Sequence, residues 1–282
     1  MKKNFIVRVV CAALLHTAAA ALCAQTATPA SDFTYDINEA GDGVVITSYK
    51  GKSTRVVIPA EIEDMPVKEI GYEAFKDCSG LKAVTFPKGL EIIDVLAFKD
   101  CSGLTAVTFP EGLKSIGNSA FSSCSGLKAV TFPEGLESIG DYAFSSCSGL
   151  TALTFPKGLK TIGYGTFAAC SGLTAVTFPE GLELIDWCAF SGCSGLTALT
   201  FPEGLKTIAN SAFKDCSDLT VLTFPEGLER IGDAAFSDCS NLSSVGLPKT
   251  PIDYEADVFE GCTKLPLKER KKLRDAGYTG SF

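Results

Sequence analysis

Cysteine is the residue whose chemistry and spacing first need an explanation in this sequence. The 282 residues include 12 cysteines, and nine of them recur at a fixed interval of 23 residues. Thiolates act as nucleophiles and metal ligands, and pairs of thiols form disulfides. These nine residues, the cysteine column, are Cys78, Cys101, Cys124, Cys147, Cys170, Cys193, Cys216, Cys239 and Cys262.

Histidine is almost missing from the sequence. The single histidine, His16, lies in an N-terminal stretch with the features of a secretory signal peptide, so the mature chain would contain none. Without imidazole, a Ser-His-Asp or Cys-His nucleophile is excluded, and so is a metal site with histidine ligands. The carboxylates occupy outer positions of a repeat, and no pair stands out. We therefore expect no enzyme activity, no catalytic residue, no cofactor and no metal site.

The interval of the cysteines also governs the rest of the sequence. A phenylalanine precedes each column cysteine by three residues, and the unit that begins at Leu104 has apolar residues at its positions 1, 4, 6, 10, 13, 17, 18 and 21. In that unit, alternation over residues 106–109 predicts a strand, and Pro110 with Gly112 predicts a turn. The segment LKSI predicts a second extended piece, and SAFSSC predicts a helical turn. A period of about 20–29 residues is typical of a solenoid, in which each repeat is one rung.

Such stacking favours a structural role for the cysteine column. Adjacent rungs lie about 4.8 Å apart, which is compatible with disulfides. However, side chains stacked in parallel point the same way, so buried free thiols are the favoured interpretation. A zinc site needs ligands that converge from different directions, which a straight column does not supply. Cys188 lies off the column, where it would be a free surface thiol or pair across a dimer.

Both ends of the repeat array differ from its middle. Residues 32–58 alternate like strands around turn-formers at 41–43 and 50–52, which predicts a β-hairpin cap. Pro266 can start a helix and Gly277 can end it. We therefore predict a strand-dominated solenoid of about nine 23-residue rungs, with a β-hairpin N-terminal cap and a helical C-terminal cap. The expected divisions are a signal peptide at 1–24, a linker and N-terminal β cap at 25–55, the repeats at 56–264 and the helical cap at 265–282.

The N-terminus predicts export. It has a basic start, an apolar stretch and small residues before Gln25, and cleavage is expected after Ala24. A lipid anchor on Cys23 fits less well, because Leu22 stands where a small residue is usual. No later apolar run approaches the roughly 20 residues that span a membrane.

The charge of the chain excludes one class of partner. The formal net charge is −8, and removal of the first 24 residues takes away three basic residues and no acidic one, which leaves −11. Nucleic acid is not an expected partner, because its phosphates need a basic face.

The repeat carries a family resemblance. The unit LTAVTFPEGLKSIGNSAFSSCSG resembles the BspA-type leucine-rich repeat, whose pattern is L-x-x-L-x-(L/F/I)-P-x-x-L-x-x-I-x-x-x-A-F-x-x-C. The resemblance extends over residues 44–282 and implies a leucine-rich-repeat solenoid. It further implies an exported protein of a host-associated microbe, and several family members are adhesins that bind fibronectin, fibrinogen or similar proteins. The family has no catalytic motif.

Two surfaces are candidates for protein contact. Outward positions on the strands carry small residues and a threonine ladder that includes Thr108, Thr131, Thr154 and Thr177. The ladder either provides a smooth platform for a partner or serves sheet propensity alone. On the opposite side, successive rungs carry Tyr142, Tyr164 and Trp187, here called the aromatic cluster. These side chains either anchor an interface, as exposed aromatics often do, or pack over the loops of adjacent rungs.

Charged residues form two further patterns. Position 11 of the rungs alternates in sign, which avoids like charges between neighbours and favours register and solubility. This column comprises Glu91, Lys114, Glu137, Lys160, Glu183, Lys206 and Glu229. The basic tail either contacts an anionic cell surface or forms a solvated capping helix, and it comprises Lys264, Lys268, Arg270, Lys271, Lys272 and Arg274.

These observations favour a non-catalytic exported protein that binds other proteins. The main hypothesis is a surface adhesin that contacts host matrix or plasma proteins, or another cell. The alternative is a structural protein of the cell envelope that associates with its own kind.

Overall fold

The computed structural model describes residues 26–282, so the predicted signal peptide, His16 and Cys23 lie outside the described part of the chain. A 3-10 turn at Ala30–Asp32 leads into five strands: β1 Phe33–Ile37, β2 Val44–Tyr49, β3 Arg55–Val57, β4 Glu61–Ile62 and β5 Met65–Ile70. Short strands then alternate along the repeats: β6 Ala83–Thr85, β7 Ile92–Ile93, β8 Ala106–Thr108, β9 Ser115–Ile116, β10 Ala129–Thr131, β11 Ser138–Ile139, β12 Ala152–Thr154, β13 Thr161–Ile162, β14 Ala175–Thr177, β15 Leu184–Ile185, β16 Ala198–Thr200, β17 Thr207–Ile208, β18 Val221–Thr223, β19 Arg230–Ile231, β20 Ser244–Gly246 and β21 Asp253–Tyr254.

The rungs stack in register, which confirms the predicted solenoid. The three-residue strands pair in parallel with their equivalents one repeat away, as Ala106 does with Ala129 and Thr108 with Thr131. The two-residue strands form a second parallel ladder along another side of the stack. The first ladder is interrupted between β14 and β16, and the second between β11 and β13. Within each ladder, equivalent positions of successive rungs therefore lie side by side.

The third side of each rung was predicted as a helical turn and has a different conformation. Ser119 and Ser123 have φ values of 53° and 61°, which no right-handed helix contains. Alternate residues bond in different directions: the N–H of Phe121 donates to Ala143 O of the next rung at 2.7 Å, and that of Cys124 donates to Phe121 O at 3.2 Å. Half of the N–H groups therefore join neighbouring rungs, which a helix would not allow.

The core consists of columns of equivalent side chains, most of them apolar. All eight apolar positions of the rung at Leu104 are buried. The phenylalanines of the inner column, from Phe75 to Phe259, stack nearly parallel with ring centroids 4.7–5.9 Å apart. A second column, from Phe86 to Phe224, meets the first mostly edge-to-face, as Phe109 does with Phe121 at 5.5 Å. Such aromatic pairs add about 0.5–1.5 kcal/mol each to the burial of their surface.

The N-terminal cap contains the predicted hairpin. Strands β1 and β2 pair antiparallel around a turn in which Gly41 has a φ of 72°, and β2 pairs in parallel with β5. The prediction placed residues up to 58 in the hairpin, but β3 instead pairs in parallel with β6 and starts the ladder of three-residue strands. Thr28 covers the open side of β3, because its N–H donates to Val57 O at 2.9 Å and its hydroxyl accepts from Val57 N at 3.0 Å.

The C-terminal cap is the predicted helix, α1, at Leu267–Asp275, with Pro266 as its N-cap. Two of its side chains bind the backbone of β20, the last of the three-residue strands. Val245 N donates to Glu269 Oε2 at 3.3 Å, and Lys272 Nζ donates to Val245 O at 2.5 Å. Within residues 26–282, none of the helical segments reaches the length and apolar character that crossing a bilayer requires.

Candidate functional site

The cysteine column has a structural role in the stack. Eight of its thiols, from Cys101 to Cys262, donate to the carbonyl of the inner-column phenylalanine one rung back, at S···O distances of 3.0–3.4 Å. Cys124, for example, bonds to Phe98 O at 3.2 Å. Each of these carbonyls also accepts the N–H of its own rung's cysteine. The thiol therefore occupies the second lone pair of a buried carbonyl.

Burial also makes these thiols chemically inert. Desolvation raises the pKa of Cys124 to about 12 and raises the pKa values of its buried neighbours in the column as well. A thiol that does not ionise is neither a nucleophile nor a metal ligand. All ten cysteines in the described part of the chain are free. Among residues 26–282, no group of His, Cys, Asp or Glu side chains is arranged to hold a metal ion.

Two cysteines are less protected than the others. Cys188, at position 16 of its rung, and Cys78, at the start of the column, are both half-buried. Burial raises the pKa of each thiol above its ordinary value. Both are therefore weak nucleophiles at neutral pH, although reagents can reach them.

The strand face carries small, uncharged side chains at its outward positions, as the sequence predicted. Thr108, Thr131, Thr154 and Thr177 are exposed, as are the alanines two residues before them. A neighbouring row of threonines holds the rungs together, since the hydroxyl of Thr174 donates to Thr151 O at 3.0 Å. These outward side chains are small and uncharged, so the face offers area to a partner rather than charge.

The alternating charges at position 11 form ion pairs between some rungs. Lys114 pairs with Glu91, and Lys160 Nζ lies 3.1 Å from Glu183 Oε1. The column begins one rung earlier than the sequence suggested, because Lys68 Nζ lies 3.5 Å from Glu91 Oε1. These pairs are largely exposed, so their main effect is on register and solubility.

The aromatic cluster is brought together by the stacking of three rungs. The rings of Tyr142 and Tyr164 meet edge-to-face with centroids 4.8 Å apart. A side-chain hydrogen bond with Tyr164, followed by burial, raises the pKa of Tyr142 to about 12. Tyr164 and Trp187 remain 37% and 55% exposed. Tyr142 therefore packs against the next rung, as one interpretation held, whereas the other two side chains face solvent.

Trp187, Tyr164 and Asp186 line a shallow cavity of about 430 Å³ that is open to solvent. Asp186 Oδ1 accepts the N–H of Trp187 at 2.7 Å, which fixes the carboxylate beside the indole. Trp187 O in turn accepts the N–H of Gly165 from the preceding rung at 2.9 Å. The two rings and the carboxylate are thus positioned by backbone contacts between rungs.

In other rungs, the residue at the position of Tyr164 and Trp187 can bond to the neighbouring rung. At position 15 of its rung, Asn118 accepts the N–H of Asp141 through Oδ1 at 2.9 Å. A β-carbon on Gly140 would come 2.5 Å from that Oδ1, so a glycine is needed opposite the asparagine. Tyr164 and Trp187 occupy equivalent positions, yet the residues opposite them are Asp186 and Ala209 rather than glycine. The aromatic side chains therefore do not make this hydrogen bond between rungs.

Sequence reasoning missed two features of this surface. Asp186 was not singled out, because its contact with Tyr164 depends on knowing which positions of adjacent rungs meet. The same arrangement occurs near the N-terminus, where Tyr72 is 58% exposed and Asp94 Oδ1 accepts the N–H of Val95 at 2.7 Å. Extension of the repeat register by one rung toward the N-terminus would have revealed that pair.

The basic tail is largely engaged within the C-terminal cap. Arg270 Nε donates to Leu265 O at 2.8 Å, and the guanidinium of Arg274 lies 4.7 Å from the centroid of the Phe282 ring. Lys264 Nζ donates to Asn241 Oδ1 at 2.5 Å. Lys268 and Lys271 remain exposed. These contacts support the capping interpretation over a role in binding an anionic surface.

Comparison with known proteins places this architecture among bacterial repeat proteins. The family model described as "BspA type Leucine rich repeat region (6 copies)" matches residues 49–174 and 138–266. No curated protein matches the chain.

Two solved structures extend this likeness. A leucine-rich repeat protein of T. pallidum is 30% identical with a TM-score of 0.56, and the match covers 91% of this chain and 99% of that one. A leucine-rich repeat protein from Bacteroides ovatus is 29% identical with a TM-score of 0.73, and the match covers 83% of this chain and 68% of that one.

Proposed function

Because the chain belongs to the BspA type leucine-rich repeat family, we propose that it is a non-catalytic protein-binding module exported to the cell surface. In this proposal it acts as an adhesin, and its partners are host matrix or plasma proteins, such as fibronectin or fibrinogen, or the surface of another cell. The signal peptide at 1–24 is removed, and residues 25–282 form the mature protein.

The observation that carries this proposal is the aromatic cluster. Exposed tyrosine and tryptophan side chains are the usual anchors of protein interfaces, because they bury a large area at a small cost in side-chain entropy. Trp187 and Tyr164 stand at the rim of a cavity and remain 55% and 37% exposed, although one edge of Tyr164 packs against Tyr142 of the preceding rung. A partner that covers them would remove a large apolar area from water.

The strand face supplies a second, broader surface. It runs along successive rungs, and its small side chains allow a partner to approach the backbone closely. Many shallow contacts on such a surface give affinity without a cofactor. Specificity then comes from the aromatic cluster, which occurs on three rungs only.

The first experiment measures binding of residues 25–282 to immobilised fibronectin and fibrinogen. The test variant replaces Tyr142, Tyr164 and Trp187 with serine, a small polar residue that already occupies the position of Tyr142 in other rungs, as Ser119 and Ser211 do. The matched control replaces Thr131 and Thr154 with lysine, which places charge on the strand face and leaves the aromatic cluster intact. Circular dichroism and thermal unfolding verify that both variants fold.

Saturable binding that is lost in the serine variant and kept in the lysine variant would support an adhesin with its contact site at the aromatic cluster. Binding lost only in the lysine variant would move the site to the strand face. Absence of binding to either host protein, and to host cells, would count against the adhesin proposal.

Self-association is the second candidate function. The observation that favours it is the small-residue strand face, which is uniform over many rungs and complementary to a copy of itself. Sedimentation of residues 25–282 over a range of concentrations tests it. Oligomers that the Thr131 and Thr154 lysine variant abolishes would support a structural role in the cell envelope, and a monomer at all concentrations would exclude it.

A further inference from the structure

We propose that the cavity between Tyr164, Asp186 and Trp187 binds the cationic side chain of one lysine or arginine on the partner. This inference rests on the proposed function, because it names the chemistry by which the aromatic cluster recognises a protein. It adds Asp186 to the site and predicts that the epitope on the partner is basic.

The geometry supplies the two groups that a cation needs. Aromatic faces attract a cation through their quadrupole, and tryptophan does so best. Tyr164 and Trp187 line the cavity together with Asp186, so two aromatic residues and one acidic residue are available there. The cavity, at about 430 Å³, is large enough for the end of one long side chain.

Asp186 has unused capacity to accept hydrogen bonds. Its Oδ1 takes the N–H of Trp187, and this bond holds the side chain beside the indole. Its other oxygen, Oδ2, makes no hydrogen bond or ion pair with any residue from 26 to 282. The carboxylate is thus held in place by the fold and still lacks a counter-charge.

Two lysines on the adjacent rungs are engaged with other carboxylates. Lys160 pairs with Glu183, and Lys214 Nζ lies 3.5 Å from Asp238 Oδ2. The mature chain is acidic overall, which attracts a basic partner at long range. An oligosaccharide would also stack on these rings, but it would not compensate the charge of Asp186. The observations therefore favour a basic protein segment over a glycan.

The second tyrosine–aspartate pair provides an internal comparison. Asp94 makes the same bond to the following N–H as Asp186 does, at the same distance of 2.7 Å. The residue that follows it is Val95 rather than tryptophan, so one aromatic wall is missing. Asp94→Asn is therefore the matched control for Asp186→Asn: both change one charge and keep an oxygen for the backbone bond.

Trp187 allows the site to be observed directly, because it is the only tryptophan in the sequence. The probes are short peptides that carry one central arginine, lysine or citrulline between glycines. Citrulline has nearly the same form as arginine and no charge. Each peptide is titrated into residues 25–282 while Trp187 fluorescence is measured, at low and at high salt.

We expect a saturable change with the arginine and lysine peptides and none with citrulline. The affinity should fall about tenfold in Asp186→Asn, and it should stay unchanged in Asp94→Asn. High salt should weaken binding, because screening shortens the range of the attraction. An equal response to citrulline, or equal affinity in Asp186→Asn, would overturn the inference. A saturable response to a neutral oligosaccharide, without one to the basic peptides, would replace it with glycan binding.

This test is separable from that of the proposed function. If the host proteins bind and Asp186→Asn does not weaken their binding, the adhesin proposal stands and the cation site is wrong. If the arginine peptide binds as expected and neither host protein does, the cation site stands and the choice of host protein is wrong.

Discussion

The ring of Tyr142 lies directly over Gly165, which occupies the same position one rung later. A β-carbon on Gly165 would overlap Cδ1 and Cε1 of this ring. Gly165 also has a φ of 57°, and its N–H donates to Trp187 O at 2.9 Å. The glycine thus gives Tyr142 the room to reach Tyr164, and it ties the backbone of Trp187 to the same rung. The aromatic cluster depends on this one residue without a side chain.

Gly165→Ala should disorder the aromatic cluster and leave the solenoid intact. The backbone cost is about 1 kcal/mol, and the stack tolerates it, since Ala234 has a φ of 52° in the same column. The larger effect is displacement of Tyr142, which should be visible as a change in Trp187 fluorescence and weaker binding. Urea denaturation measures the stability. In a Tyr142→Ala background, Gly165→Ala should cost only the backbone strain, because no tyrosine ring remains to be displaced. An equally large change in fluorescence and binding there would contradict displacement of Tyr142 as the cause.

Thiol labelling should divide the ten cysteines of residues 25–282 into two classes. Cys78 and Cys188 are half-buried and should react in the folded protein, whereas the eight thiols from Cys101 to Cys262 should react only after unfolding. Desolvation raises the pKa of Cys188, so its reaction should be slow at neutral pH and accelerate above about pH 8.5. Cys188→Ser should remove one reactive thiol. Fewer than ten reactive thiols after denaturation without reductant would mean that some are paired.

The period of the sequence was sufficient to predict the core. Phe121 and Cys124 recur with every rung, and only a stack of rungs gives the same environment to each copy, so their burial followed from the spacing alone. The thiol bond from Cys124 to Phe98 O did not follow, because it depends on which carbonyl of the previous rung faces the sulfur. Spacing determines which residues repeat, and backbone conformation determines what they touch.

The turn side and the binding surface were harder to predict for the same reason. Ser119 and Ser123 adopt positive φ values that serine rarely has, and they do so because their N–H groups bond to the next rung. Local propensity favoured a helical turn, and contacts between rungs overrode it. Tyr164 and Trp187 were identified as unusual residues, but the position of Asp186 beside them emerged only from the stacking.

Lys160→Glu should destabilise the stack in a way that depends on salt and pH. It would put three carboxylates on successive rungs, at 137, 160 and 183, and remove the ion pair with Glu183. Lys160 lowers the pKa of Glu183 through a hydrogen bond, so the stabilisation is present above the ordinary carboxyl pKa and is lost as pH falls through the lowered value. The difference in melting temperature from the unmodified protein should therefore shrink in acid and at high salt.

Lys128→Glu is the control for that substitution. It makes the same change in charge, but its neighbours in the stack are Thr105 and Thr151, which carry no charge. The difference in melting temperature between this variant and the unmodified protein should change little with salt. An equal and equally salt-sensitive loss in both variants would mean that net charge, rather than the alternation at position 11, is responsible.

Removal of the side chains that cover β20, the last of the three-residue strands, should make the protein self-associate. In Glu269→Ala/Lys272→Ala, the N–H and C=O of Val245 lose their partners in helix α1, and β20 becomes an open edge. An open edge pairs with other strands, so sedimentation should show concentration-dependent oligomers. Lys271→Ala, on the exposed side of the same helix, should remain unchanged in the same assay. A double variant that sediments like this control would show that the packing of α1, rather than these two polar contacts, protects the edge.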